Sequence, residues 1–299
     1  MAHPILRPLA LGEILDGAFT LYRRNFATFI VTALIPTLAI ALGFVMLGGG
    51  YVAAMTSSDP SAMFAEMMGG LGLMMLVGMI ATLVMWPALT REAAQAYTGQ
   101  PTSVPDGFRA GARAVLPLLG ALLLGGLGLM LAGIGVVIVL SLVMLVFSAL
   151  GAVVGIVGMV LVVLGYFAFF FAAFAVLFAV VPAIVVEGAG PIEALERSFT
   201  LARSALGRVA GVMTVAMLIS YLPMMAVMAL TGGLAQMMNP EKVPTAGQFI
   251  TQQLLGTGVG ILTTPFLASV IVLLYFDRRV RTEALDVQMM TDSLAVAGD

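Results

Sequence analysis

Long stretches without a charged residue are the feature that most constrains how this chain folds. The five longest cover residues 25–58, 67–90, 114–186, 209–240 and 243–276. A helix crosses the hydrocarbon core of a bilayer with about 20 apolar residues. Four of the stretches therefore each fit one crossing, and the third is long enough for two or three. Only 9% of the 299 residues are charged, which excludes a water-soluble globule.

The distribution of basic residues predicts the number of spans. If the N-terminus lies inside and residues 114–186 cross twice, every lysine and arginine except Lys242 falls on one face. Three crossings would divide the basic clusters between the two faces. Because lysine and arginine favour the cytoplasmic side, we predict an all-α integral membrane protein with six transmembrane helices and both termini in the cytoplasm. The predicted spans are Phe26–Gly49, Leu71–Leu89, Val115–Phe147, Gly151–Val186, Val209–Leu230 and Thr251–Phe276.

The turn between the third and fourth spans has no polar loop to mark it. Ser148–Gly151 divides the uncharged stretch evenly and is the predicted turn, while Gly133–Gly135 is the alternative. Two polar segments, Tyr51–Gly70 and Gly232–Gln248, are predicted to be loops on the outer side.

An internal repeat precedes the first and fifth spans. When Glu13 is aligned with Glu193, Phe19-Thr20-Leu21 meets Phe199-Thr200-Leu201 and Arg23 meets Arg203. Both segments place apolar residues at helical spacing, with acidic residues early and arginines late, as the helix dipole favours. Leu11–Arg24 and Pro191–Ser204 are therefore predicted to be amphipathic helices in the inner interface. Asp106–Arg113 occupies the corresponding place before the third span.

These observations predict three membrane hairpins, each preceded by an interfacial amphipathic helix. The predicted organisation is one polytopic membrane domain over residues 1–299, with an interfacial helix within residues 1–25 and a cytoplasmic tail over residues 277–299.

Three segments carry short motifs of a known family. They contain Leu11-Gly12-Glu13-Ile14-Leu15-Asp16, Val181-Pro182-Ala183-Ile184 and Tyr275-Phe276-Asp277-Arg278-Arg279. In these motifs the chain resembles the bacterial glycerophosphodiester phosphodiesterase membrane-domain family. The resemblance implies a helical domain of the bacterial inner membrane. Some relatives continue into a cytosolic phosphodiesterase barrel, and we expect none here.

Residues suited to catalysis are sparse. The chain has no cysteine and one histidine, His3. A metal site or an acid–base pair needs converging histidine and carboxylate side chains, and no such cluster is evident outside the predicted amphipathic helices. We therefore expect no enzyme activity, no metal and no cofactor. A net charge of −2 gives no indication of nucleic-acid binding.

The six predicted spans contain no ionisable residue. Ion-coupled carriers usually bury such residues at membrane depth, so the sequence favours a non-catalytic membrane scaffold or lipid-interacting module. A transporter or permease-like carrier of a small or lipidic substrate is the alternative. The polar residues within the spans are expected to bond to their own helix backbone; they are Thr32, Thr37, Thr82, Ser141, Thr214, Ser220, Thr263, Thr264 and Ser269.

Six arginines lie where an interfacial helix or a loop meets a span. They are Arg23, Arg24, Arg203, Arg208, Arg278 and Arg279. One interpretation is that they only orient and anchor the helices. The other is that they bind an anion, either the phosphate of anionic membrane lipids or the acidic surface of an unknown protein partner. An arginine near anionic lipid contributes about 1 kcal/mol of attraction, and we predict these six as lipid headgroup contacts.

Overall fold

The computed structural model describes residues 7–56, 59–239 and 245–283, and every regular element in them is helical. Outside this part of the chain lie His3, Lys242, residues 57–58 and 240–244 of the two predicted outer loops, and the tail beyond Glu283. The helices are α1 (Leu11–Arg24), α2 (Phe26–Thr56), α3 (Pro60–Tyr97), α4 (Val104–Ala149), α5 (Ala152–Leu177), α6 (Val180–Pro182), the π-helical turn Ala183–Glu187, α7 (Pro191–Arg203), α8 (Leu206–Leu230), α9 (Gly233–Met238) and α10 (Ala246–Glu283).

Within the described residues, six helical segments are long and apolar enough to cross a membrane. They lie in α2, α3, α4, α8 and α10, and in the segment that runs from α5 to the π-helical turn. This confirms the predicted all-α membrane protein with six transmembrane helices. The segment Asp106–Arg113 forms the first turns of α4 and is continuous with the third span. Ala110 and Ala112 in this segment, and Ala114 directly after it, favour continued helix.

The turn between α4 and α5 lies where the sequence predicted it. The backbone N–H groups of Leu150 and Gly151 bond to the carbonyls of Phe147 and Ser148, at 3.2 and 3.3 Å. Gly151 has a φ of 112°, a conformation that glycine adopts without the clash of a Cβ atom. Gly133–Gly135, the alternative turn, lies inside α4.

The repeat-related helices α1 and α7 bury equivalent positions. Ile14 corresponds to Ala194 and Ala18 to Ser198, and none of these four side chains is exposed to solvent. Phe19 and Phe199 are also equivalent, and they remain 52% and 50% exposed. Each helix therefore packs one stripe against the protein and leaves a phenylalanine on its outer side.

The described chain divides into two compact units, and neither unit is continuous in sequence. The first comprises described residues of 12–115 and 215–273, and the second comprises those of 7–11, 116–214 and 274–283. The predicted single membrane domain over residues 1–299 stays a prediction.

Glycines allow close helix packing within the first unit. A Cβ atom added to Gly111 of α4 would lie 2.5 Å from the carbonyl oxygen of Val84 in α3. At Gly107, one turn earlier, it would lie 2.7 Å from the carboxylate of Glu92. Small residues let membrane helices approach to backbone contact, so α4 begins directly against α3.

The second unit contains α4 from residue 116 onward, together with α5. A Cβ atom at Gly158 would lie 2.5 Å from the Phe147 side chain, and one at Gly165 would lie 2.8 Å from Leu140. The two long helices therefore pack closely along glycines of α5. The π-helical turn ends at Glu187, and Gly188 follows it with a φ of 73°.

Candidate functional site

A buried carboxylate at the end of α10 holds the segment that precedes α1. Asp277 has no exposed side-chain surface and pairs with Arg208 at 3.2 Å and with Arg281 at 3.0 Å. Its Oδ1 also accepts the backbone N–H of Leu9 at 2.8 Å. Both arginines donate in turn to the carbonyl oxygen of Leu9. This network, within the second unit, joins residues that are remote in sequence.

A second polar network begins at Glu187, the last residue of the π-helical turn. Its carboxylate accepts hydrogen bonds from the Tyr275 hydroxyl and from Arg197, whose Nε lies 2.8 Å from Oε2. Arg279 lies 3.4 Å from the same carboxylate. The turn therefore places Glu187 against two arginines and a buried tyrosine. Single π-helical turns occur frequently at functional sites.

Arg197 of α7 bridges two carboxylates. Its Nη2 donates to Glu187 at 3.0 Å and to Glu283 at 2.8 Å. The hydrogen bond to Glu187 is the largest influence on this guanidinium and raises the pKa of Arg197 above its usual value. Arg197 thus stays charged and holds α7 to the end of α10.

Arg278 caps the C-terminal end of α7. Only 4% of the residue is exposed, its Nε donates to the carbonyl of Leu201 at 3.0 Å, and its Nη2 donates to the Ser204 hydroxyl at 2.6 Å. A cation at this end of a helix stabilises the last carbonyls and the helix dipole. Arg278 therefore has a clear packing role within the second unit.

The six arginines predicted to contact lipid fall into two groups. Arg208, Arg278 and Arg279 donate to acceptors of the second unit. The others, Arg23, Arg24 and Arg203, are exposed and form no ion pair or side-chain hydrogen bond with another described residue. Lipid contact stays a prediction for all six, and the second group has its guanidinium groups available for it.

Glu92 was not among the predicted site residues, because the predicted second span ended at Leu89. Helix α3 continues to Tyr97, and the apolar span includes this residue. The Glu92 side chain is fully buried, and its Oε1 accepts the hydroxyl of Thr32 at 2.5 Å. The sequence nevertheless indicates that the helix packs closely here, because small residues follow Glu92 at positions 93, 94 and 96, all of them alanine.

Four hydroxyl groups within the spans bond to their own helix backbone, as predicted. Thr37, Ser220, Thr263 and Ser269 each donate to the carbonyl four residues earlier in their own helix. Thr32 differs, because it donates across to Glu92. In the described residues, no group of three histidine, aspartate or glutamate side chains is arranged to hold a metal ion.

A family model matches residues 10–278, from the start of α1 to the arginines of α10. The chain belongs to the family described as a domain of unknown function (DUF7847). No curated protein and no solved structure matches it. The DUF7847 match covers Glu92 and part of both polar networks; Leu9, Arg279, Arg281 and Glu283 lie just outside it. The resemblance to the glycerophosphodiester phosphodiesterase membrane-domain family stays a prediction.

Proposed function

We propose that the protein is a non-catalytic membrane module that binds headgroups of anionic lipids through α1 and α7. The observation that carries this proposal is a pair of side chains repeated in both helices. Phe19 and Arg23 are four residues apart in α1, and Phe199 and Arg203 are four residues apart in α7. Residues at this spacing lie on the same face, so each helix presents an exposed phenylalanine beside an exposed arginine.

This combination suits the boundary between headgroups and acyl chains. An interfacial helix inserts its aromatic side chain into the boundary region, while a guanidinium reaches the phosphate and binds it through two parallel hydrogen bonds. Arg24 adds a further cation at the junction of α1 with its span. Three such arginines would contribute on the order of 3 kcal/mol of attraction to an anionic leaflet.

The predicted topology puts both helices on the same leaflet. Since lysine and arginine favour the cytoplasmic side, this leaflet is the inner one of a bacterial inner membrane, where anionic lipids supply the negative surface. The partners of the module are then membrane lipids, and neither nucleic acid nor a cofactor takes part.

Native mass spectrometry of gently solubilised protein tests the proposal. A variant with Arg23→Gln, Arg24→Gln and Arg203→Gln should retain less anionic lipid than the wild type. A matched variant with Arg91→Gln, Arg109→Gln and Arg113→Gln removes the same charge without a neighbouring exposed phenylalanine and should retain the wild-type amount. Equal retention by the two variants, both inserted in the correct orientation, would refute lipid binding by α1 and α7.

One observation favours the alternative, a transporter or permease-like carrier of a small or lipidic substrate. Glu92 is a buried carboxyl group within a span, and such residues commonly mark substrate or ion pathways. A carrier of this kind should gain thermal stability, saturably, from one class of small molecule or lipid. Replacing Glu92 with Gln should remove that gain, and screening with a panel of candidate substrates would measure it.

A further inference from the structure

The first unit holds a carboxyl group without a cation beside it. Glu92 of α3 and Thr32 of α2 are both fully buried. The Thr32 hydroxyl donates a hydrogen bond to Oε1 of Glu92. No arginine or other cation of the described residues forms an ion pair with Glu92. A carboxylate is strongly disfavoured in such surroundings, because burial removes it from bulk solvent and no cation of the described residues pairs with it.

Two buried oxygen atoms on the same side of α3 lack a donor. They are Oε2 of Glu92 and Oε1 of Gln95, and neither has a hydrogen-bond partner in the described part of the chain. The two residues are three positions apart, so their side chains are neighbours on the helix surface. Both atoms are hydrogen-bond acceptors, so a hydrogen bond to either of them requires a donor hydrogen.

We propose that Glu92 is a proton-binding site. A proton on Oε2 turns that oxygen into a donor, and the Oε1 atom of Gln95 is the neighbouring acceptor. The same proton thereby satisfies both atoms, while Oε1 of Glu92 continues to accept the Thr32 hydroxyl. The ligand of the site is a proton from water, and its binding makes the carboxyl group neutral.

The packing around Glu92 favours a proton over a metal ion. A Cβ atom at Gly107 would lie 2.7 Å from Oε1 of Glu92 and 3.3 Å from the carbonyl oxygen of Ala88, so the backbone of α4 closes that side. Metal cations such as Ca²⁺ and Mg²⁺ need about six oxygen ligands arranged around a central space. A proton is held within a single hydrogen bond and needs no central space of this kind.

The charged groups on the packed helices do not neutralise Glu92. On α4, Asp106 and Arg109 pair with each other at 3.0 Å on an exposed surface. On α2, residues 26–56 include no charged residue. Arg91, which precedes Glu92 on α3, is turned about 100° from it around the helix axis. This inference is independent of lipid binding by α1 and α7.

Infrared spectroscopy of the full chain in lipid nanodiscs tests this site directly. The wild type should show a carboxylic-acid C=O band at neutral pH that shifts in D₂O. The Glu92→Gln variant should lose that band, whereas Glu196→Gln, an exposed glutamate of α7, should keep it. If no acid band is present in the wild type at neutral pH, Glu92 is ionised, as it would be if the Gln95 amide donated to it, and the proposal is overturned.

A second variant covers the case in which Glu92→Gln does not fold. Thr32→Val removes the donor to Oε1 and should move the acid band to higher frequency while leaving its intensity unchanged. A band at the wild-type position in Thr32→Val belongs to another carboxyl group and overturns the assignment to Glu92.

Discussion

Asp277 accepts the backbone N–H of Leu9 at 2.8 Å, although the two residues are 268 positions apart in the chain. The contact fixes the segment before α1 to the end of α10. It lies among the arginines of the second unit, and Asp277 is their buried counter-ion. The segment before α1 and the end of α10 are therefore both needed to complete this network.

Removing the charge of Asp277 should destabilise the protein. Asp277→Asn leaves Arg208 and Arg281 without their carboxylate, and we expect a loss on the order of 2–3 kcal/mol. The value is below that for a fully buried pair because water reaches both guanidinium groups. Thermal unfolding in detergent would measure it. Asp106→Asn, which breaks an exposed pair with Arg109, should change the melting temperature little.

Gly111→Ala should separate α4 from α3. The added Cβ atom would lie 2.5 Å from the carbonyl oxygen of Val84, and backbone cannot move aside as a flexible side chain can. We expect a loss of about 1–3 kcal/mol in unfolding free energy. Gly126→Ala is the matched control on the same helix, since its Cβ atom would meet nothing within 4 Å. If both variants melt alike, α3 and α4 do not pack through Gly111.

Arg197→Lys should not be a conservative change. The guanidinium group donates to Glu187 and Glu283 at the same time. The lysine side chain is shorter and carries a single ammonium group, so it cannot reproduce this geometry. We expect about 1–2 kcal/mol of destabilisation, reduced by the partial exposure of the site. Arg109→Lys provides the control. Equal melting temperatures for wild type and Arg197→Lys would show that the bridge adds nothing to stability.

Single cysteines can test the predicted orientation cleanly, because the chain has none of its own. Ser103→Cys lies between α3 and α4 and should be protected from a membrane-impermeant thiol reagent in intact cells. Ser148→Cys lies at the turn between α4 and α5 and should be labelled. The reverse pattern would place the arginine-rich segments outside and would contradict the predicted topology.

Local sequence signals predicted several elements well. The turn at Ser148–Gly151 was predicted because it divides the uncharged stretch evenly, and Gly151 supplies the positive φ that the turn needs. Helix α1 and the first residue of α7 agree with the periodic apolar residues before the first and fifth spans. For these two helices neighbouring residues carry the whole signal.

Features that depend on distant residues were not predictable from the sequence. The acceptors of Arg208 and Arg278 lie in other helices, and no local pattern identifies them. Glu92 was overlooked because the predicted span was ended before the first charged residue. In the structure the Glu92 side chain packs against Thr32 and Gly107, and the helix continues past it.

The depth of α1 and α7 in the membrane tests the central claim most directly. Spin labels at Phe19→Cys and Phe199→Cys, in nanodiscs that contain anionic lipid, would report collisions with a lipid-soluble or a water-soluble relaxation agent. The lipid-binding proposal predicts that both labels lie at headgroup depth, and that both become more water-exposed when Arg23, Arg24 and Arg203 are replaced by Gln. Full water exposure of both labels in the parent protein would contradict it.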